Sequence, residues 1–194
     1  MAETIKRKVL KISMLGDSTV GKTSIINSFL DIDFSNNMIS NIGIDKIETS
    51  MKMKDGNEMK IAIWDTAGQE RFHAIATTTI KNSQGIVISF DLTNRQSFEN
   101  VERWLQDVQE SNNKIPVVIF GNKCDIIDGR VITKEDVTDL LKGYNLPYFE
   151  TSAKENINIK EGFRNIIEEA YQKACPRLGM DLKKNRKKKK GKNC

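Results

Sequence analysis

The chain has 194 residues, of which 38% are hydrophobic, and its formal net charge at pH 7 is +5. This length suffices for one well-buried core and is short for two. No apolar run approaches the ~20 residues that a transmembrane helix requires, and the first residues lack the apolar stretch of a secretory signal peptide. Three cysteines without paired spacing and a single histidine argue against a disulfide framework and a zinc site. We therefore expect a cytosolic protein.

The positive charge is concentrated at the C-terminus. Residues 183–194 carry eight basic side chains and no acidic one, so subtracting +8 from the total of +5 leaves −3 for residues 1–182. The folded part is therefore not expected to present the basic face that is typical of nucleic-acid binding. We predict one globular domain over residues 1–175 and a disordered polybasic tail over residues 176–194, which ends in Cys194.

Apolar runs alternate with helical patterns along the chain. Strands are predicted at residues 9–15, 47–53, 59–65, 86–91, 117–122 and 148–151, and helices at residues 24–30, 97–110, 133–141 and 159–173. The turn sequence Asp55-Gly56-Asn57 predicts an antiparallel hairpin. Ser97 followed by Asn100 forms half of a capping box. We expect an α/β fold with a six-stranded, mostly parallel sheet, one antiparallel strand, helices on both faces and ligands at the carboxyl ends of the strands.

A complete phosphate-binding motif follows the first strand. Residues 16–23, Gly-Asp-Ser-Thr-Val-Gly-Lys-Thr, match G-x-x-x-x-G-K-[ST] between a strand and a helix. Glycines let the backbone N–H groups curl around phosphates, and the helix N-terminus adds partial positive charge. Lys22 can reach the β- and γ-phosphates, and the Thr23 hydroxyl is placed to bind Mg²⁺. The motif predicts a P-loop NTPase fold whose nucleotide site includes Asp17, Ser18, Thr19, Val20, Gly21, Lys22, Thr23 and Ser24.

Two later loops select the base. In Gly121-Asn122-Lys123-Cys124-Asp125, the Asp125 carboxylate can accept hydrogen bonds from guanine N1–H and N2–H₂, which adenine does not present in that pattern. A site of this type can discriminate between the bases by ~10⁴ or more. Near the next strand end, the backbone of Glu150-Thr151-Ser152-Ala153-Lys154 can donate to guanine O6. Together with the phosphate loop, these loops predict a guanine nucleotide.

Residues 64–72, Trp-Asp-Thr-Ala-Gly-Gln-Glu-Arg-Phe, form a third motif. Asp65 fits a carboxylate that holds a water of Mg²⁺, and Gly68 can turn its N–H onto a γ-phosphate. Gln69 is placed to orient the attacking water, and Lys22 to stabilise charge on the phosphates. No arginine is evidently placed to assist in cis, so we expect slow GTP hydrolysis, on the order of 10⁻⁴ s⁻¹ by analogy with Ras, and a need for an activating protein.

These motifs resemble those of Rab GTPases, a branch of the Ras-like superfamily, over roughly residues 8–175. The resemblance implies that Phe34 packs against the guanine edge and that Lys123 lies over its ring. It implies a monomeric switch that controls vesicle traffic at the cytoplasmic face of an endomembrane or the plasma membrane. Exchange factors, activating proteins and effectors would contact two switch segments, at residues 35–45 and 67–80.

Two departures from the Rab pattern affect these switch segments. Asn41 stands where the family has a threonine that binds Mg²⁺ through its hydroxyl. An asparagine keeps the backbone N–H, and its amide oxygen could bind the metal, but it is longer, so we expect a looser GTP-bound segment. Trp64 fills the middle place of an aromatic triad on the effector face, whereas Lys46 and Thr79 stand at the other two places. Familiar Rab effectors are therefore expected to bind poorly.

The basic tail predicts membrane attachment. Eight cationic groups near anionic lipid contribute ~1 kcal/mol each, and Cys194 resembles a prenylation site, although Rabs usually end in two cysteines and no C-a-a-X box is present. Nuclear localisation or RNA contact by the tail is the alternative.

Other interpretations remain open for the domain. A guanine-nucleotide-binding scaffold with weak or absent hydrolysis is one, and a P-loop kinase or ATPase, against which Asp125 argues, is another. Three further residues are expected to be structural: His73 as an exposed helix residue, Trp104 as helix packing, and Cys124 as a packed small residue rather than a redox sensor.

Overall fold

The computed structural model describes residues 9–31, 44–66 and 73–174. In chain order its elements are β1 (Val9–Leu15), α1 (Lys22–Phe29), β2 (Ile44–Lys52), β3 (Glu58–Thr66), α2 (His73–Asn82), β4 (Gly85–Asp91), α3 (Arg95–Asn112), β5 (Val117–Asn122), α4 (Lys134–Leu140), β6 (Tyr148–Glu150) and α5 (Ile159–Ala174). The strands form one six-stranded sheet in the order β2-β3-β1-β4-β5-β6. β2 is antiparallel to β3, and the other neighbouring strands are parallel. The predicted fold class is confirmed.

Helices cover the sheet on both faces. On one face, Ile25 of α1 and Phe163 of α5 share a core with Leu10 of β1. On the other face, Val137 of α4 shares a core with Ile86 of β4, together with side chains of α2 and α3. β4 and β5 are buried along their whole length because both of their faces are covered. Burying one such aliphatic side chain contributes about 1.5 to 3 kcal/mol.

Most predicted elements begin and end within two residues of the observed ones, but β2 and α2 differ. β2 begins at Ile44 rather than at residue 47 because its first residues pair with the end of β3. Helix α2 has no counterpart among the predicted elements. Its sequence contains the run Thr77-Thr78-Thr79, and threonine has a low intrinsic helix propensity. Packing against the sheet and α3 therefore decides the conformation of this segment.

The predicted half capping box at Ser97 and Asn100 is wrong. Helix α3 begins at Arg95, and its N-cap is Asn94, whose side chain accepts a hydrogen bond from the Ser97 N–H at 3.2 Å. Ser97 therefore lies inside the helix, and the Asn100 side chain is free to reach the phosphate loop, as described below. Among the described residues, no helix is long and apolar enough to cross a membrane.

Parallel strands bring the predicted motifs together. β1, β3, β4, β5 and β6 all run in the same direction, so the segments that follow them leave from one edge of the sheet. In sheets of this type, ligands bind at the carboxyl ends of the strands. The phosphate loop, the end of β3 and the two base-selecting loops therefore face one another.

Candidate functional site

The phosphate loop fits closely between neighbouring strands. Its first and last glycines, Gly16 and Gly21, have φ angles of +134° and +98°. A Cβ on Gly16 would lie 2.1 Å from the carbonyl oxygen of Ser89 in β4, and a Cβ on Gly21 would lie 2.5 Å from Nδ2 of Asn122 in β5. Only glycine fits at either position, and the loop is thereby held against the ends of both strands.

The N-terminus of α1 is open to an anion. Its N-cap residue is Gly21, which has no side chain to cap the first N–H groups, and the first turn contains no acidic residue. Such a helix end combines N–H donors with the positive end of the helix dipole. The predicted phosphate-binding residues Lys22, Thr23 and Ser24 form this turn.

Lys22 places a buried charge within the same loop. The side chain is 5% exposed, and its ammonium donates hydrogen bonds to the carbonyl oxygens of Gly16 and Asp17, each at 2.7 Å. A charge in such a buried position requires strong polar partners. The loop carbonyls hold the ammonium inside the phosphate loop.

Thr23 and Asp65, the two residues predicted around Mg²⁺, are in direct contact. The Thr23 hydroxyl donates a hydrogen bond to Oδ2 of Asp65, which is 1% exposed at the end of β3. Hydroxyl and carboxylate oxygens are the ligand types that Mg²⁺ prefers. Among the described residues, no three His, Cys, Asp or Glu side chains form a cluster. Thr23 and Asp65 therefore offer oxygen atoms that fit a Mg²⁺ ion.

Asn122 joins three segments of the site. Its buried amide nitrogen donates to the carbonyl oxygen of Val20 at 2.9 Å. Its amide oxygen accepts from the Thr151 hydroxyl and from the Ala153 N–H, both at 3.3 Å. One side chain thus fixes the phosphate loop relative to both base-selecting loops.

Lys123 and Asp125 lie in the first base-selecting loop. The Lys123 backbone has a φ of +65°. Its ammonium lies 2.6 Å from Oδ2 of Asp91, a buried carboxylate that also accepts from the Thr93 N–H at 2.8 Å. Asp91 therefore orients the residue that the resemblance places over the base. Asp125 is half-buried two residues further along.

The second base-selecting loop, Ser152 to Lys154, is held mainly by bonds within the protein. Ser152 is fully buried, its N–H donates to the carbonyl oxygen of Ile157 at 3.2 Å, and its hydroxyl accepts from the Glu155 N–H at 3.0 Å. Ala153 points its N–H at Asn122, and the exposed Lys154 forms an ion pair with Glu155 at 3.4 Å. Ser152 thus shapes the loop, and donation to guanine O6 stays a prediction.

Arg130 is a site residue that no sequence motif indicates. Its guanidinium donates two hydrogen bonds to the Glu150 carboxylate, at 2.9 and 2.6 Å, and its Nε donates to the carbonyl oxygen of Ile132 at 2.6 Å. These bonds hold the pKa of Glu150 below its usual value. The pair fastens the segment after Asp125 to β6, immediately before the second base-selecting loop.

Asp17 links the phosphate loop to helix α3. Its carboxylate accepts hydrogen bonds from the Asn100 amide at 2.5 Å and from the Trp104 indole N–H at 3.1 Å. The predicted packing role of Trp104 is confirmed, since the side chain is 4% exposed in the core, but the sequence does not indicate its second role as a hydrogen-bond donor to the loop. The Asp17 side chain therefore points to the helix rather than to a phosphate.

Several predicted site residues lie outside the part of the chain that the structure describes, namely Phe34, Asn41, Gly68, Gln69 and Cys194. Their roles stay predictions. His73 begins α2, and its side chain is likewise outside the description. Cys124 is a partly buried free thiol, and burial raises its pKa, so that it stays protonated near neutral pH. This agrees with a packed residue.

Comparisons with known proteins place the whole site within one family domain. The model of the Ras family matches residues 11–172. The chain is 42% identical over 175 residues to the Ras-related protein Rab-10 of Diplobatis ommata, covering 89% of this chain and 86% of the relative. It is 41% identical over 162 residues to Rab-10 of Caenorhabditis elegans, with 82% and 80% covered. It is 37% identical over 171 residues to Rab-8A of Bos taurus, with 88% and 82% covered.

Proposed function

Because the chain belongs to the Ras family, as a small GTPase of its Rab branch, we propose that it is a slow GTPase switch of membrane traffic whose GTP-bound form binds effectors. The observation that carries this proposal is the junction at Asn122, which holds the phosphate loop and both base-selecting loops in one arrangement. A site built in this way can bind the base and the phosphates of one nucleotide at the same time.

The chemistry follows from the positions of these groups. Asp125 accepts from guanine, Lys123 lies over the base, and the open end of α1 receives the β-phosphate. Mg²⁺, when bound near Thr23 and Asp65, supplies positive charge to the phosphate oxygens. Lys22 stabilises negative charge on the transferred phosphoryl group, and Gln69 orients the attacking water.

Slow turnover is expected because Arg95 and Arg130 are engaged away from the phosphate loop, and Arg103 lies against the Trp104 ring, 5.1 Å from its centre. Arg95 donates to Asp136 at 3.1 Å, and Arg130 is paired with Glu150. An activating protein that supplies an arginine would raise the rate by 10³ to 10⁵, by analogy with Ras. The hydrolytic step then acts as a timer for a conformational signal, set by an exchange factor and read by effectors.

Membrane attachment is proposed through the tail. The polybasic residues 183–194 and a lipid on Cys194 would supply the two attractions that stable anchoring requires. The domain at residues 1–175 would then act at the cytoplasmic face of an endomembrane or the plasma membrane.

Single-turnover hydrolysis of GTP labelled at its γ-phosphate tests this proposal in wild type, Gln69→Leu and Asn41→Thr. We expect slow turnover in wild type that Gln69→Leu abolishes. If wild type and Gln69→Leu are equally inert while GTP still binds, the protein is instead a guanine-nucleotide-binding scaffold. Asn41, in place of the family's threonine, favours this second candidate. Faster turnover in Asn41→Thr would then locate the defect in the first switch segment.

A further inference from the structure

A cavity of about 200 Å³ lies between β1, β3 and α2, away from the nucleotide site. Its lining includes Lys11 and Ser13 of β1, Trp64 of β3, and Thr79, Asn82 and Ser83 of α2 and its C-terminal end. Lys46 of β2 lies directly opposite Trp64 in the antiparallel register. The three positions that the resemblance assigns to the effector face are therefore neighbours, and the cavity opens on that face.

Most polar groups around this cavity already have partners. The Ser83 hydroxyl donates to the carbonyl oxygen of Thr79 at 2.7 Å, so the 2.6 Å contact between the Ser13 and Ser83 hydroxyls uses the hydrogen of Ser13. The Asn82 amide donates to the carbonyl oxygen of Thr78 at 2.9 Å. The two serine hydroxyls and one N–H of the Asn82 amide are thus used within the protein.

Two further donors, an indole N–H and an ammonium, belong to the lining. The indole N–H of Trp64 is buried and has no acceptor among the residues that the structure describes. The Lys11 ammonium lies 5.8 Å from the centre of the Trp64 ring, and within the described residues no carboxylate pairs with it. Lys46, by contrast, is neutralised by an ion pair with Glu48. A buried N–H without an acceptor is unfavourable. Because a cation lies beside it, a negatively charged acceptor would bind there better than a neutral one.

We propose that this cavity receives the carboxylate of an Asp or Glu side chain from a partner protein. The carboxylate would accept from the Trp64 indole N–H and pair with the Lys11 ammonium, and its methylene groups would fill the apolar part of the cavity. The volume suits one side chain and is too small for a nucleotide. The inference rests on the proposed function in one respect, because the partner protein would be an effector that binds this face of the switch.

Nuclear magnetic resonance of the indole N–H groups tests the proposal in the full chain, loaded with GDP or with a non-hydrolysable GTP analogue. The probe is the acetylated peptide amide Ala-Leu-Glu-Leu-Ala, and its matched control carries Gln in place of Glu. We expect the Glu peptide to shift the Trp64 signal saturably in at least one nucleotide state and to bind on the order of tenfold more tightly than the Gln peptide. Trp104, whose N–H is held by Asp17, is the internal reference and should not move.

Substitution of Lys11 separates charge recognition from apolar binding. Lys11→Met removes the charge and keeps the stem, so we expect it to lower affinity for the Glu peptide on the order of tenfold and to leave the Gln peptide unchanged. Lys81→Met, on the exposed side of α2, is the matched control and should change neither. Equal binding of the two peptides, an unchanged Lys11→Met, or a larger shift with inorganic phosphate than with the Glu peptide would overturn the proposal.

Failure of the carboxylate site can be distinguished from failure of the proposed function. A chain that hydrolyses GTP but shows no saturable shift of Trp64 contradicts the carboxylate site alone. A chain that shows the shift but does not bind guanine nucleotide contradicts the switch alone.

Discussion

The carboxylate of Asp17 in the phosphate loop accepts a hydrogen bond from the indole N–H of Trp104 in α3, at 3.1 Å. Asn100, one turn earlier in the same helix, occupies the other carboxylate oxygen at 2.5 Å. The backbone carbonyl oxygen of Asp17 accepts a hydrogen bond from the Lys22 ammonium. Because α3 also packs against α2, which overlaps the predicted second switch segment, the phosphate loop is connected to that segment through α3.

We predict that Trp104→Phe destabilises the protein by about 1 to 3 kcal/mol, because it removes a hydrogen bond to a charged, partly buried acceptor. Urea unfolding of the GDP-loaded protein measures this loss. The matched control is Trp64→Phe, which removes an indole N–H without an acceptor in the described part of the chain and should cost less. Equal destabilisation by the two variants would show that the bond to Asp17 contributes nothing.

Thr19 adopts a backbone conformation that its side chain disfavours. Its φ is +64°, in the left-handed region, and it is exposed and β-branched. This conformation costs about 1 to 2 kcal/mol in an L-residue. A glycine in its place would relieve that cost, but the greater freedom of the unfolded chain would offset about 0.4 to 1 kcal/mol of the gain. We therefore predict that Thr19→Gly raises the melting temperature by about 1 to 4 °C. Ser18→Gly is the control, because Ser18 has no positive φ, and it should lower the melting temperature. Melting temperatures that change in the same direction in both variants would contradict backbone strain at Thr19.

The Arg130–Glu150 pair predicts a pH-dependent contribution to stability. Hydrogen bonding to Arg130 lowers the pKa of Glu150 from its ordinary value of 4.5. A lowered carboxyl pKa contributes stability that is fully present above pH 4.5 and is lost as the pH falls through the folded-state value. We expect Arg130→Met to cost about 1 kcal/mol at pH 7, since the pair is bidentate but partly exposed, and the cost to diminish below pH 4.5.

Unfolding free energies of wild type and Arg130→Met between pH 7 and pH 3 measure this dependence. In a Glu150→Gln background, which has no carboxylate to titrate at this position, the effect of Arg130→Met should not vary with pH over the same range. A difference between wild type and Arg130→Met that is constant with pH would rule out the pair as its source.

The sequence predicts those elements of the fold that depend on neighbouring residues. The bounds of β1 and β5 follow from short apolar runs, and the phosphate loop follows from glycines whose positions allow no side chain. Helix α2 does not follow, because its three threonines disfavour a helix that packing stabilises.

Contacts between distant residues account for what the sequence does not predict about the site. Trp104 and Asp17 are 87 positions apart, and Arg130 and Glu150 are 20 apart. Each pair forms because the fold brings together segments that are distant in the sequence. The apolar spacing of α3 predicts that Trp104 is buried, but it cannot predict which acceptor its N–H will find.

The most direct test of a guanine-nucleotide site is competition for bound fluorescent GDP by unlabelled GTP and ATP, in wild type and Asp125→Ala. We predict that GTP displaces the probe from wild type at concentrations ~10³-fold or more below those of ATP, and that Asp125→Ala reduces this preference sharply because guanine loses its acceptor. Displacement by ATP and GTP at comparable concentrations would contradict the account, because the chain would then be a P-loop protein without selection for guanine.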